Sequence, residues 1–236
     1  KVLNDVRLSL QREWWKPVVF IGAKPLEKVF EVQKIEKRNI PTCFKTLGLY
    51  RKGEPYVYRF EPVRKLTQAL EISNYAVLHG IGGAGKSTIA DYIVEFLKER
   101  FNHVVAIDLK EEGIKKPEEL IDRVAEEFLN FAVINDVLPI LNEKGAIRKW
   151  QKLNEAVQTN QWLLILDNYE VFQDENGIIQ DKDWVRFINE LITNWKGKFL
   201  ITTRLKVFLN ERSSLENTIE IGTFSETEFL FLLMQI

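Results

Sequence analysis

The chain has 236 residues, enough to bury a real core and to hold one main domain with something smaller beside it. Apolar residues make up 45% and charged residues 28%, an ordinary globular balance, and 33 basic side chains meet 34 acidic ones. That near-neutral sum creates no field favouring nucleic acid or an acidic lipid surface, and the single Cys43 excludes an internal disulfide. No apolar run approaches a membrane span and no signal peptide is visible, so a cytoplasmic address is expected.

In chain order, residues 1–22 read as one helix, with Val2, Leu3, Val6 and Leu10 on a face, followed by a short strand over 17–22. Residues 23–55 are charged, weakly periodic and punctuated by Pro25, Pro41, Gly48, Gly53 and Pro55. They read as a connector with one short helix over 26–35. A helix is expected over 61–72, then an apolar strand at 76–78. The helix over 88–100 follows from the spacing of Ile89, Tyr92, Ile93, Phe96 and Leu97. Beyond it come a strand at 104–107, a helix over 117–131 with Pro117 near its start, and helical pieces over 133–152. A strand at 162–166, a helix over 183–195, a strand at 199–202 and a weaker strand at 218–221 complete the alternation. Apolar strands alternating with helices predict an α/β protein whose parallel sheet is covered on both faces, a three-layer sandwich.

Between the strand at 76–78 and its helix stands Gly80-Ile81-Gly82-Gly83-Ala84-Gly85-Lys86-Ser87, which satisfies G-x-x-x-x-G-K-[ST] without a gap. Strand, glycine-rich loop and helix form the setting this motif requires. Backbone amides curl around phosphates and the helix N-terminus adds partial positive charge. Lys86 would reach the β- and γ-phosphates, and the Ser87 hydroxyl would sit on Mg²⁺. A nucleoside triphosphate or diphosphate with Mg²⁺ is thus the expected ligand. The strand Leu163-Leu164-Ile165-Leu166 ends in Asp167, a carboxylate placed where ligands lie in open parallel sheets and suited to the same metal ion. Lys198-Phe199-Leu200-Ile201-Thr202-Thr203 ends in Arg204, whose planar fork suits a γ-phosphate.

These three segments in this order resemble the STAND class of signalling ATPases, which contains the NB-ARC domains; the resemblance runs from about residue 56 to 236. It implies a P-loop NTPase fold in which the Thr-Thr-Arg strand lies between the phosphate-loop strand and the acidic strand. It also implies that Arg204 senses the γ-phosphate and that phosphates rest on Gly80, Gly82, Gly83, Ala84, Gly85, Lys86, Ser87 and Thr88. Tyr56-Val57-Tyr58-Arg59-Phe60-Glu61 is similar to the family's apolar-x-Gly-Arg-Glu segment, which implies contacts of Val57 and Arg59 beside the adenine. Tyr58 replaces the usual glycine. Many members follow the metal-binding Asp with a second Asp. Here Asn168 stands there, an amide able to position water but not to take a proton. Glu170, two residues on, reads equally as the water-activating base or as a solvated surface acid.

The resemblance implies a slow ATPase used as a switch, self-associating through a nucleotide-binding domain over 56–222, with 223–236 opening a helical domain. Residues 1–22 resemble the last helix and strand of a CHAT domain, a caspase-like fold. An upstream effector and a downstream sensor on the same polypeptide would be the partners. The start at Lys1 and the stop inside an apolar stretch suggest a piece of a longer polypeptide. Two rivals remain: an AAA+ remodelling ATPase, which usually carries Asp-Glu at 167–168, and a scaffold that holds ADP without hydrolysing it. His79 and the tryptophans are expected to pack rather than react.

Overall fold

The computed structural model describes residues 42–49, 57, 59–97, 100–157, 161–195, 197–207 and 217–234. All lie in a compact unit spanning 39–236. The expected elements at 1–22 and 26–35, including the CHAT-like tail, fall outside the described residues.

Six strands form one parallel sheet: β1 (Cys43–Lys45), β2 (Tyr75–His79), β3 (His103–Asp108), β4 (Trp162–Asp167), β5 (Lys198–Thr203) and β6 (Thr218–Glu220). Their order across the sheet is β1-β3-β4-β5-β2-β6. The helices are α1 (Phe60–Ile72), α2 (Lys86–Leu97), α3 (Pro117–Asn130), α4 (Leu138–Leu141), α5 (Ala146–Ala156), α6 (Lys182–Asn194) and α7 (Glu226–Leu233), with a 3₁₀ turn over Tyr169–Phe172. β5 lies between β2 and β4, as the resemblance implied.

Each strand sends alternate side chains into two separate cores. Tyr75, Val77, Val105, Ile107, Leu164, Leu166, Phe199 and Ile201 face α3, α5 and α6. Ala76, Leu78, Val104, Ala106, Leu163, Ile165 and Leu200 face α1 and α2. With both faces covered, the strands need no polar alternation, which is why they read as continuous apolar runs. No helix among the described residues is long and apolar enough to cross a membrane.

Local chemistry starts the helices. Pro117 sits in the first turn of α3, and the Glu119 carboxylate accepts the amides of Lys115 (2.7 Å) and Lys116 (3.2 Å). Asp181 caps α6 by accepting from the amides of Asp183 (2.8 Å) and Trp184 (3.2 Å).

β1 departs from the sequence reading, which placed a connector there. Its three residues carry no periodic signal; distant contacts hold them. The Cys43 amide donates to His103 Nδ1 at 3.3 Å. Lys45 pairs with Glu112 (3.0 Å) and Glu127 (2.9 Å), both of which also bind Arg123. Just past β1, the amides of Leu47 and Leu49 donate to the Asp91 carboxylate on α2 at 2.7 and 2.8 Å.

Candidate nucleotide site at the strand tips

The phosphate loop connects the end of β2 to the first residue of α2. Gly85 has φ +86°, a region that side chains adopt only under strain. Gly80 is required for a different reason: a Cβ there would stand 2.2 Å from the Ile221 carbonyl oxygen. That close approach arises because the Ile221 amide donates to the His79 carbonyl at 2.7 Å, extending the β2–β6 pairing to the loop's edge.

Lys86, the first residue of α2, is 8% exposed. Its ammonium donates to the carbonyls of Gly80 (2.8 Å) and Ile81 (3.0 Å), and so is folded back over the loop it starts from. Burial pushes its pKa below the usual lysine value. Glu170 and Asp167 oppose that shift, while Arg204 adds to it. The charges of these three side chains are therefore felt at the lysine.

Asp167 ends β4 and is 2% exposed. The Thr202 hydroxyl of β5 donates to its Oδ1, and Ser87 at the start of α2 also hydrogen-bonds to it. Burial raises its pKa above the usual carboxylate value, the Thr202 and Ser87 hydrogen bonds pull it down, and the nearby Asp108 and Glu170 push it up. A buried carboxylate crowded by two others, bonded to a serine hydroxyl, is a donor set that a hard divalent cation would relieve. Among the described residues no three His, Cys, Asp or Glu side chains form a metal-holding group.

Arg204 follows β5, and its guanidinium lies over the loop: Cζ is 3.6 Å from where a Cβ on Gly82 would be. Its Nε pairs with Glu170 Oε1 at 2.9 Å, and its backbone amide donates to Glu170 Oε2 at 3.2 Å. Glu170 is therefore not a solvated surface acid but is engaged with Arg204. Both of its oxygens hold the arginine, and its side chain is 18% exposed. Asn168, just before the 3₁₀ turn, has a left-handed backbone (φ 58°).

Arg59 and Val57 are both buried. Arg59 is bound to protein rather than left open for a base. Its guanidinium donates to the carbonyls of Ala84 (3.0 Å), Gly222 (3.1 Å) and Thr223 (2.9 Å), pairs with Glu228 at 3.4 Å and lies 5.0 Å from the Phe224 ring centre. It ties the phosphate loop to the start of α7.

The sequence reading did not single out Asp108, which stands opposite Asp167 in the β3–β4 register, or the Thr202 hydroxyl. A signal for Asp108 was present: Val104-Val105-Ala106-Ile107 ends on an acid just as Leu163-Leu164-Ile165-Leu166 does.

The NB-ARC domain profile matches residues 61–236, three-quarters of the chain and every strand tip just described except that of β1. The chain belongs to the NB-ARC family. It is a P-loop nucleotide-binding domain of the ATPase class. No curated protein sequence matches it. Among solved structures, this NB-ARC domain is similar to the Walker-type ATPase PABY2304 of Pyrococcus abyssi, with 20% identity and a TM-score of 0.52. The match covers 76% of this chain and 57% of that one. It is also similar to Cdc6p of Pyrobaculum aerophilum, with 14% identity and a TM-score of 0.51, over 79% of this chain and 52% of that one. The chain thus spans little more than half the length of either, and at these identities the likeness concerns the fold.

Proposed function

We propose that this NB-ARC domain is a nucleotide-operated switch that binds ADP or ATP with Mg²⁺ and hydrolyses ATP slowly. The observation that carries the reading is the position of Arg204, poised over Gly82 and held by Glu170. A triphosphate places an extra charged group at that end of the loop, and a guanidinium there distinguishes it from a diphosphate. Lys86 would exchange the carbonyls of Gly80 and Ile81 for phosphate oxygens, and Ser87 with Asp167 would hold Mg²⁺, which neutralises phosphate charge. Val57, Gly83, Ala84 and Thr88 border the same nucleotide.

Arg59 supplies the route outward, because one guanidinium spans Ala84 of the loop and Gly222, Thr223 and Glu228 beyond β6. A shift of the loop is felt at the start of α7. In the whole polypeptide that motion would reach self-association surfaces, an upstream effector and a downstream sensor, in a cytoplasmic setting.

The test is to denature the purified protein, identify the released nucleotide, and titrate ATP and ADP onto wild type, Lys86→Ala and Arg204→Ala. Wild type should release ADP. Lys86→Ala should weaken both nucleotides about 100-fold, the loss of two charge-assisted hydrogen bonds. Arg204→Ala should weaken ATP about tenfold and ADP hardly at all, one such bond. Equal losses for ATP and ADP in Arg204→Ala would sink the switch. Bound ADP with no turnover would instead favour a non-hydrolysing scaffold.

A further inference from the structure

If the domain hydrolyses ATP, as proposed above, something must take a proton from the attacking water, and a proton on Glu170 would break its ion pair with Arg204. Asn168 is an amide. Glu170 has Oε1 on the Arg204 guanidinium and Oε2 on the Arg204 amide. The acid that remains at the strand tips is Asp108. It ends β3 directly opposite Asp167, and in parallel register their side chains leave the sheet on the same face. Its charge is felt by Asp167.

The hydrogen bonds of Asp108 are divided. Oδ1 accepts the amides of Lys110 and Glu111, each at 3.0 Å, which fixes the carboxylate's orientation. Oδ2 accepts one bond, from Asn168 Nδ2 at 2.9 Å. A carboxylate oxygen carries two acceptor positions, so among the described residues Oδ2 retains one; the Glu170 oxygens retain one each as well, but Oε1 is paired to a guanidinium. The left-handed backbone at Asn168, whose amide donates to Thr202 Oγ1 at 3.3 Å, turns that residue toward β3. Asparagine adopts this conformation more readily than most side chains, so the turn is available to it at little cost.

We infer that Asp108 is the catalytic base of this domain, with Asn168 as the residue that positions both it and the water. Asp108 Oδ2 accepts a proton from the attacking water as the water oxygen bonds to the γ-phosphorus. The bond from that phosphorus to the bridging oxygen breaks, and ADP leaves with the bond's electron pair. The proton then passes from Asp108 to solvent or phosphate, so ATP and water yield ADP and inorganic phosphate. Glu170 holds Arg204 rather than the water.

The experiment uses the 236-residue chain. Phosphate release from Mg²⁺–ATP and titration with a fluorescent ADP analogue are compared for wild type, Asp108→Asn, Asp108→Glu and Glu170→Gln. Asp108→Asn should lose turnover by about 100- to 10,000-fold, the usual worth of a general base. Its affinity for the analogue should stay within about threefold of wild type, since a base acts on the transition state. Asp108→Asn should lower kcat while leaving KM close to wild type, a split that a merely structural role would not produce. Asp108→Glu should recover part of the rate, and Glu170→Gln should cost less than Asp108→Asn. A larger loss in Glu170→Gln, an unchanged rate in Asp108→Asn, or loss of analogue binding in Asp108→Asn overturns the assignment. Wild type that binds the analogue without releasing phosphate overturns it too, while the nucleotide site stands. Failure of wild type to bind any nucleotide removes the proposed function itself.

Discussion

The two ends of the same four strands are built of opposite materials. Where β2, β3, β4 and β5 finish, they present His79, Asp108, Asp167 and Thr203, with Arg204 just beyond. Near their starts, they present Tyr75, His103, Trp162 and Phe199, the second residue of β5, packed into an aromatic cluster. Trp162 lies 5.2 Å from Trp150 and 4.7 Å from Trp195, ring centre to ring centre, with Phe128 at 5.1 Å. Phe199 joins through Trp195 at 5.9 Å and Tyr75 at 5.5 Å. Aromatic packing anchors the ladder at one end, so the other end can carry buried, like-charged acids whose mutual repulsion opposes folding. Stability and chemistry are thus divided along the strand axis, and substitutions at the two ends should separate cleanly.

Trp162→Ala should have the largest effect on folding. The side chain is 1% exposed and touches three other aromatic rings, so truncation should cost about 3–5 kcal/mol in urea unfolding. Nucleotide affinity of the remaining folded fraction should be unaltered. A Trp162→Ala chain that keeps its stability but loses nucleotide would erase the division.

Acid sensitivity sharpens it, because one histidine stands at each end. Burial lowers the pKa of His103 below 6.5. Burial also lowers that of His79, with Lys206 and Lys86 adding to the shift and Glu220 opposing it. With folded values depressed, the unfolded chain binds more protons in this range, so stability is full above pH 6.5 and is lost as pH falls through the folded values. His103 Nδ1 accepts the Cys43 amide and must be unprotonated to do so. Protection factors at Cys43 and Phe44, corrected for the intrinsic exchange rate, should therefore fall on acidification from about pH 7.5 to about 5.5 before those along β2. Simultaneous loss at both ends would show that the edge strand is not the weak point.

The smallest expected effect concerns Cys43 itself. Burial first, then the Glu127 charge, pushes its thiol up to about 12, with Lys45 opposing. The native protein should resist iodoacetamide at pH 8 and label fully in denaturant. Rapid native labelling would mean that β1 opens without global unfolding.

Much of this was legible in sequence because its causes are local. The glycine spacing and Lys86 define the loop, two apolar runs end in Asp167 and Arg204, and each strand's apolar run reports that both its faces are covered. Strand limits came within a residue or two, and the missing residue at the end of β3 was Asp108.

What tertiary structure alone decided are relations between residues far apart in the chain. β1 is a three-residue strand with no periodic pattern, held by His103, Glu112 and Glu127. Glu170 looked free until Arg204, 34 positions later, took both its oxygens. The carbonyls of Gly222 and Thr223 reach the Arg59 guanidinium only because the fold brings them there. Backbone propensity and apolar periodicity are properties of neighbours in sequence and can be read from it. A charged side chain instead takes whichever opposite charge or carbonyl the completed sheet delivers to it, and only the folded chain fixes that choice.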